Sequence, residues 1–484
     1  MTSTETPALG HRRKPQGPEP APHLFLVLDC DRLLQSPQRH SLAGLDEVAV
    51  GRAESGFARR EGSRLALGVE GQWLSTQHAR LVREGGRWVI EDLRSTNGTL
   101  VNGAPVERAP LADQDVIELG HTIFLYRDAV PRRAEDALDV TATALVPPVP
   151  SLRTLVPPFA ADLARLSAIA RSNVSVVIGG ESGTGKEIVA RAIHELSGRT
   201  GPFVAVNCAA LAQTLVESEL FGHRKGAFSG ADEDRPGLVR SADRGTLLLD
   251  EIGDLPPPAQ AALLRVLQEG EVLAVGSTRP VKVDVRVLAA THRDLEQQVA
   301  KGEFRADLLA RITGFTLKLP PLRWRREDLG LLIAALLQRI APAQAAKVQL
   351  TGDAARALLR YRWPLNIREL EKCLTAALIL AGDAAIDLPH LTDAVRAALH
   401  APHGATPALS SGPAQPLPAS GAPEPHAPPP PLDEADTQKR EELIALLQEH
   451  RGNVAAVARA MGKARMQIHR FIKRYQLSLE SYRD

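Results

Sequence analysis

A glycine-rich segment between an apolar run and a helix constrains this chain more than any other feature. Residues 174–187 read VSVVIGGESGTGKE, which predicts a strand, a tight turn and a helix start. Glycines there let backbone N–H groups converge on phosphate oxygens, and Lys186 adds positive charge. The usual Ser or Thr after the lysine is Glu187. The residues predicted to bind nucleotide in this loop are Gly180, Glu181, Ser182, Gly183, Thr184, Gly185, Lys186 and Glu187.

Two acidic residues after a second apolar run point to the same chemistry. Residues 245–255 read GTLLLDEIGDL, and Asp250 lies 64 residues after Lys186. An acid at the carboxyl end of a buried parallel strand lies beside the phosphate loop. We therefore expect Asp250 to hold Mg²⁺ and Glu251 to polarise the water that attacks ATP. An isolated Asp-Glu pair is also typical of a solvated strand end, but the two motifs together predict an ATPase.

The composition excludes several other classes of protein. With 484 residues the chain has room for about three domains. Lys+Arg (58) balance Asp+Glu (57), so a nucleic-acid surface can only be local. The three cysteines are far apart, without disulfide-framework or metal-ligand spacing. No apolar run approaches the ~18 residues of a membrane span. We therefore expect a cytoplasmic protein without membrane association.

The apolar pattern changes along the chain and predicts a multidomain fold class. Short apolar runs broken by Gly, Asn and Asp predict a β-sandwich. Strands then alternate with helices, which indicates a parallel α/β ATPase sheet, followed by a helical lid and, after a Pro-rich tether, a small all-α module. The expected segments are a disordered leader (1–22), the sandwich (23–128), a linker (129–151), the α/β subdomain (152–322), the lid (323–400), a second linker (401–436) and the all-α module (437–484).

The stretch from about 152 to 399 resembles the AAA+ domain of sigma-54-dependent transcriptional activators, also called bacterial enhancer-binding proteins. GESGTGKE is that family's nucleotide loop, Glu187 included, and VNCAAL, ELFGHRKGAFSGA, LLRVLQEGEVLAVGS, VDVRVLAATHRDL, FRADLLARI, LPPLRWRREDL and WPLNIREL follow in family order. The resemblance implies ATP and Mg²⁺ as cofactors and a homo-oligomer, from dimer to hexameric ring. It also implies a role for Asn207 in holding Glu251 inactive, for Thr291 and His292 as sensor I, for Arg305 and Arg311 as arginine fingers, and for Arg368 as sensor II.

The resemblance places the contact with sigma-54 in the loop GAFSGA, with one change. The family's usual Thr is Ser229, which keeps the hydroxyl and loses a methyl group. Glycines allow a sharp tip, and Phe228 offers an apolar contact, so we expect a weakened contact. Leu365 replaces the family's usual Gly and is expected to affect only a local turn. The predicted sigma-54 contact residues are Gly226, Ala227, Phe228, Ser229, Gly230 and Ala231.

The region from about 24 to 127 resembles a forkhead-associated (FHA) domain, a β-sandwich that binds phosphothreonine peptides. The similarity lies in Gly51–Arg52, STQHARL, NGT and a second Asn-Gly pair. By resemblance, Arg52 and Ser75 bind phosphate, while Thr96 and Asn97 set the neighbouring peptide contact. A guanidinium with hydroxyl and amide donors suits a phosphate group. Such Asn-Gly pairs also simply make hairpin turns. The segment between Arg52 and Ser75 is long, and its arginines at 59, 60 and 64 are expected to add positive charge near the site.

The C-terminus resembles the Fis-type helix-turn-helix found at the end of these activators. From 450 to 479 there are seven Lys/Arg and no Asp/Glu, a local basic footprint on a neutral chain. Asn453 can cap a helix, Gly462 lies in the turn, and 464–475 is the predicted recognition helix. A solvated basic helix face is the other interpretation. The candidate DNA-binding residues are Lys463, Arg465, Gln467, His469, Arg470 and Lys473.

Together these features predict an ATP-dependent transcriptional activator. Its expected partners are enhancer DNA, sigma-54 RNA polymerase and a phosphothreonine-containing protein, such as a Ser/Thr kinase or its substrate. One alternative is a DNA-binding regulator of the same architecture that does not act on sigma-54, for which Ser229 is the sequence support. Another is a phosphopeptide-binding scaffold with an inactive ATPase, which the intact Lys186, Asp250 and Glu251 disfavour.

Overall fold

The computed structural model describes residues 18–35, 37–145, 152–399, 443–450, 456–457 and 460–461. The chain divides into two compact units, Met1–Ala405 and Thr406–Asp484. The described part of the second unit includes a helix over 443–449, and the predicted recognition helix lies outside the described residues. Within the described ranges, we find no helix of the length and apolarity needed to cross a membrane.

The N-terminal part of the first unit is a sandwich of two sheets. One sheet has the strand order β13-β2-β1-β12-β11-β8-β9 and the other β10-β7-β6-β3-β5-β4. Their facing sides bury apolar side chains such as Leu24, Trp88 and Phe124. The strands are β1 (Glu19–Asp29), β2 (Gln38–Ser41), β3 (Glu47–Ala53), β4 (Phe57–Glu61), β5 (Arg64–Glu70), β6 (Ala79–Glu84), β7 (Arg87–Asp92), β8 (Thr99–Val101), β9 (Ala104–Val106), β10 (Arg108–Pro110), β11 (Val116–Leu119), β12 (Thr122–Arg132) and β13 (Asp139–Thr141).

The sandwich extends beyond the limits expected from the sequence. Strand β1 begins at Glu19, inside the expected leader (1–22), and pairs with β12, which runs to Arg132. Strand β13 lies in the expected linker (129–151) and pairs with β2. The prolines in the expected leader and in the expected linker predicted irregular chain at both ends of the sandwich. A strand nevertheless tolerates proline where the missing N–H would not bond a neighbouring strand.

The long segment between Arg52 and Ser75 forms the β4–β5 hairpin. Arg60 Nε donates to Asp139 Oδ2 over 2.5 Å, and Arg64 Nε lies 3.4 Å from Glu47 Oε2. Both charges are therefore matched locally, so the expected addition of positive charge near the phosphate site is not seen for these two arginines.

The central part of β1 and the first half of β12 are buried on both faces. Leu24 and Phe124 face the sandwich core, whereas Phe25, Val27 and Leu125 share an apolar cluster with the C-terminal lid helices. Alternate residues of a strand point to opposite faces, so the continuous apolar runs in these strands serve two cores.

The central part is a parallel five-stranded sheet flanked by helices. Its strand order is β15-β16-β19-β14-β20. The strands are β14 (Val176–Gly179), β15 (Phe203–Asn207), β16 (Thr246–Asp250), β19 (Arg286–Thr291) and β20 (Phe315–Lys318), with a separate hairpin of β17 (Glu271–Val272) and β18 (Val281–Lys282). The helices are α1 (Pro157–Ala170), α2 (Lys186–Ser197), α3 (Val216–Phe221), α4 (Leu238–Ser241), α5 (Pro257–Glu269), α6 (Leu295–Ala300) and α7 (Ala306–Ile312).

A helical lid follows the sheet and contacts both the glycine-rich loop and the sandwich. Its core contains Ile333, Leu358, Trp363 and Leu374. The lid helices are α8 (Leu329–Ile340), α9 (Gly352–Arg360), α10 (Asn366–Ala381) and α11 (Asp393–Ala398). The lid therefore lies between the two places where the sequence predicts ligand binding.

Candidate functional site

The glycine-rich loop connects β14 to the N-terminus of α2. Gly183 and Gly185 adopt φ values of 77° and 101°, which only glycine adopts readily. Lys186 is buried as the first residue of α2, and its Nζ donates to Gly180 O over 3.0 Å. The helix N-terminus and the loop N–H groups together make an anion-binding site.

Glu251 lies beside the lysine, immediately after the central strand β16. Its Oε1 is 3.2 Å from Lys186 Nζ, and its Oε2 accepts from His292 Nδ1 over 2.7 Å and from the His292 N–H over 3.2 Å. Burial raises the pKa of the Glu251 carboxyl, but the His292 hydrogen bonds and the Lys186 charge outweigh it and lower that pKa. The carboxylate is therefore held ionised, as a group that polarises water requires.

Asp250 ends β16 next to Glu251. Burial raises the pKa of its carboxyl, and one oxygen accepts from the Glu251 N–H over 3.1 Å. The described residues contain no group of three His, Cys, Asp or Glu that could hold a metal ion. Mg²⁺ usually binds one or two carboxylates together with substrate phosphates, so a single half-buried Asp at this edge fits that mode of binding.

Asn207 and Thr291 occupy the strands on either side of β16. Asn207 pairs in register with Asp250, but its Oδ1 accepts from the Ala209 N–H over 3.0 Å. The hydrogen bonds of the described residues do not include one between Asn207 and Glu251, so the restraint implied by resemblance is absent from this conformation. The buried Thr291 accepts from the Gly180 N–H through its backbone oxygen, over 3.1 Å.

Asn366, at the start of lid helix α10, joins the lid to the loop. The side chain is fully buried, and its Nδ2 donates to Glu181 Oε2 (3.2 Å) and to Ser182 O (3.0 Å). Its Oδ1 accepts from the Leu322 N–H over 2.8 Å. The sequence motif WPLNIREL contained this residue, but only tertiary docking reveals the contact.

Two arginines complete the contact between lid and loop. Arg323 makes two hydrogen bonds to the carboxylate of Glu181, at 2.8 and 2.6 Å, and this pair was not predicted. Arg368, the expected sensor II, donates to Ser182 Oγ over 3.3 Å. Leu365 has a φ of −102°, so this turn does not need the glycine that the family usually has.

The two expected arginine fingers lie on or next to α7. Arg305 is exposed and makes two hydrogen bonds to Asp307, at 3.0 and 2.7 Å. Arg311 is also exposed and donates to Leu267 O over 2.9 and 3.1 Å. Within the described part of the chain, neither guanidinium bonds to the phosphate loop.

The GAFSGA loop is a tight turn whose two ends are joined by a hydrogen bond. The Gly226 N–H donates to Ala231 O over 2.8 Å, and Gly226 and Gly230 have φ values of 80° and 98°. Phe228 is half-buried, with its ring 4.9 Å from that of His223. Ser229 is exposed, so its hydroxyl is free to meet a partner.

The predicted phosphopeptide residues converge at one end of the sandwich. The Thr96 N–H donates to Ser75 Oγ over 3.0 Å, and Asn97 Nδ2 donates to Trp73 O over 2.8 Å. The exposed Arg52 has no side-chain hydrogen bond or ion pair with any described residue, and its N–H donates to Ser75 O over 2.9 Å.

His78 braces the loop that carries Ser75. Its Nδ1 accepts from the Ser75 N–H over 3.2 Å, and its Nε2 lies 3.1 Å from Gly98 O. Burial lowers the pKa of His78, so the ring stays neutral and keeps one donor and one acceptor. The candidate DNA-binding residues at 463–473 lie outside the described residues, and their role stays a prediction.

Three family models match the chain. They are the sigma-54 interaction domain over residues 156–318, the AAA+ ATPase lid domain over 323–407 and the FHA domain over 48–120. These matches, together with the two-sheet sandwich and the parallel sheet, confirm the predicted fold class and the resemblance on which it rested.

Similar proteins extend this result. The acetoin catabolism regulatory protein of Cupriavidus necator is 40% identical over 446 residues, which cover 87% of this chain and 63% of that protein. The transcriptional regulatory protein GlrR of Escherichia coli is 38% identical over 369 residues, which cover 74% of this chain and 76% of that protein. The chain belongs to the family of sigma-54-dependent transcriptional regulators, and it spans less than two thirds of the acetoin regulator's length.

One similar solved structure is NtrX from Brucella abortus in complex with ATP. It is 31% identical and covers 66% of this chain and 68% of that protein, with a TM-score of 0.46.

Proposed function

We propose that this protein is an ATP-dependent transcriptional activator that remodels sigma-54 RNA polymerase under control of its FHA domain. The observation that carries the proposal is the cluster of Lys186, Glu251 and His292 beside the glycine-rich loop, closed by Asn366 of the lid. Because bacterial transcription takes place in the cytoplasm, the proposal implies a cytoplasmic protein.

The residues at the loop divide the work of ATP hydrolysis. Loop N–H groups and Lys186 bind the phosphates, and Glu251 orients the attacking water and accepts its proton. His292 holds Glu251 in place. Asp250 would hold Mg²⁺, whose charge offsets that on the phosphate oxygens. Arg368 donates to Ser182 of the loop and so lies next to the phosphate site. Its contacts would therefore change with the bound nucleotide.

Ring assembly would complete the site. Arg305 and Arg311 are exposed, and among the described residues their guanidinium groups bond only to Asp307 and Leu267, so both can turn outward to another copy. An arginine supplied by a neighbouring subunit stabilises the charge on the transferring phosphoryl group, by roughly 10³–10⁵-fold in comparable systems. We therefore propose a homo-oligomer, from dimer to hexamer, in which hydrolysis depends on assembly.

Three regions of the chain would bind the partners of the protein. The loop 226–231 would contact sigma-54 through Phe228, and the C-terminal module would bind enhancer DNA. A phosphothreonine segment of another protein would bind at Arg52 and Ser75, where the exposed guanidinium suits a phosphate group. The alternative, a regulator that does not act on sigma-54, is supported by Ser229 in place of the family's Thr.

Glu251→Gln in the full chain tests the catalytic proposal. Removing the water-activating carboxylate should lower ATP turnover by roughly 10²–10⁴-fold, while binding of a fluorescent ATP analogue is retained. Glu195→Gln, an exposed carboxylate near the end of α2, should leave phosphate release unchanged. Undiminished phosphate release in Glu251→Gln would show that the catalytic assignment is wrong.

A further inference from the structure

The sandwich and the lid share one apolar core. Phe25, Val27 and Leu125 of the sandwich cluster with Ile333 and Leu337 of α8. All five side chains are almost fully buried. Close-packed interiors transmit displacement because they have few voids into which side chains can move.

Main-chain contacts lock the same two parts together. Gly330 on α8 lies so close to Val27 that an added Cβ would be 1.9 Å from the Val27 carbonyl oxygen. The Leu350 N–H of the lid donates to Cys30 O of the sandwich over 2.9 Å. A movement of one part must therefore either carry the other part with it or break these contacts.

Two ion pairs with buried carboxylates also cross the contact. Arg127 of β12 pairs with Glu327, and Arg356 of α9 pairs with Glu118 of β11. Both carboxylates are at most 4% exposed. Separating either pair would leave a buried charge without its partner, which is strongly destabilising, so the contact favours two discrete states over gradual sliding.

The phosphopeptide end of the sandwich reaches this contact directly. A cavity of about 700 Å³ lies between residues 71–73 of the sandwich and 349–352 of the lid. Trp73 lines the cavity, stacks on His121 with ring centroids 4.1 Å apart, and accepts through its backbone oxygen from Asn97. The loop that bears Ser75 is thus also a wall of the cavity next to the lid.

The other side of the lid holds the nucleotide loop. Besides Asn366, the Ile367 N–H donates to Gly183 O over 2.9 Å, and Arg325 Nη2 donates to Thr184 O over 3.1 Å. Arg325 is 6% exposed, so its bond is shielded from water. The lid is therefore attached both to the nucleotide loop and to the sandwich loop that carries Ser75.

We propose that phosphopeptide binding at Arg52 and Ser75 and nucleotide binding at the glycine-rich loop are coupled through the lid. This inference rests on the proposed phosphopeptide function and names its route of control. A peptide that shifts the loop 71–78 changes the fit of the sandwich on the lid, and the lid changes its hold on Glu181, Ser182 and Gly183. Coupling of this kind is reciprocal, because each ligand must alter the affinity of the other by the same factor.

The test measures both affinities on the full chain. The probes are a fluorescent ADP analogue and the tightest phosphothreonine peptide from a degenerate library, with its unphosphorylated form as the blank. We expect saturating peptide to change ADP affinity by about fivefold or more, and ADP to change peptide affinity by the same factor. Peptide binding with no change in ADP affinity would overturn the coupling while leaving the phosphopeptide function intact.

Two variants locate the route. Gly330→Ala should separate the sandwich from α8, because its Cβ meets the Val27 carbonyl, and so reduce the coupling factor to one while each ligand still binds. Gln338→Ala is the matched control, because it changes an exposed side chain of the same helix and leaves the contact with Val27 intact. Full coupling in a folded Gly330→Ala protein would overturn the proposed route.

A measurement on the unaltered protein guards against misfolding of the variant. Peptide binding should change hydrogen exchange at the Ile367 amide, which donates to Gly183 O. Unchanged exchange at that amide with bound peptide would contradict coupling through the lid. If no phosphothreonine peptide binds the unaltered chain, the phosphopeptide part of the proposed function fails, and this inference fails with it.

Discussion

At the residue scale, the partners of an arginine side chain distinguish an arginine that is available to bind a ligand from one with a structural role. Arg60 is tied to Asp139 and Arg127 to Glu327, whereas the Arg52 guanidinium bonds to no described residue. Sequence alone identified Arg52 as a phosphate ligand through its motif, and it gave 59, 60 and 64 one common expectation, added positive charge near the site. Partners that lie 79 and 200 residues away in the chain decide which charges remain available.

Arg52→Ala should weaken phosphothreonine-peptide binding by about 10- to 100-fold. A hydrogen bond to a charged group contributes roughly 1.5–3 kcal/mol, and 1.4 kcal/mol corresponds to a factor of ten. Arg59→Ala removes an exposed arginine of the same sandwich, one that stands over the Phe57 ring, and should change binding by less than about threefold. Calorimetric titration of the full chain checks both; equal losses in the two variants would refute a specific role for Arg52.

At the element scale, local patterns predicted the strands that carry the nucleotide site. The apolar runs at β14, β16 and β19 were identified because strands buried on both faces give continuous apolar sequences, and the apolar run of the edge strand β15 was identified as well. Strand β20 was not identified, because FTLK alternates apolar and polar residues. The runs of β1 and β12 carried the signal of a second buried face, but the sequence pattern does not say which element covers it.

Asn366→Ala tests whether the start of α10 fastens the lid. The change removes three hydrogen bonds of a buried side chain, and the φ of 55° disfavours Ala. We expect a loss of about 1–3 kcal/mol, or a melting point lowered by several degrees. Asn173→Ala, on an exposed loop, should shift it far less. Equal melting points for the two variants, measured by scanning calorimetry, would contradict this role.

At the scale of the whole molecule, the structure adds most where the sandwich meets the lid of the ATPase. The sequence predicted a sandwich and an ATPase joined by a linker, and both are present. Their common core, with Phe25 and Ile333 in one cluster, depends on contacts hundreds of residues apart in the chain, which no local pattern encodes. Experiments on the ATPase therefore belong on the full chain, because removing the sandwich would expose the apolar face of α8.

Capture of sigma-54 by the full chain tests the central claim most directly. With ADP and aluminium fluoride as a mimic of the transferring phosphoryl group, we predict a stable complex with purified sigma-54 that requires the mimic. The complex should disappear in Phe228→Ala and persist in Leu215→Ala, which removes an exposed apolar side chain elsewhere on the same domain. Absence of any complex, in protein that still hydrolyses ATP, would contradict the claim and favour a regulator that does not act on sigma-54.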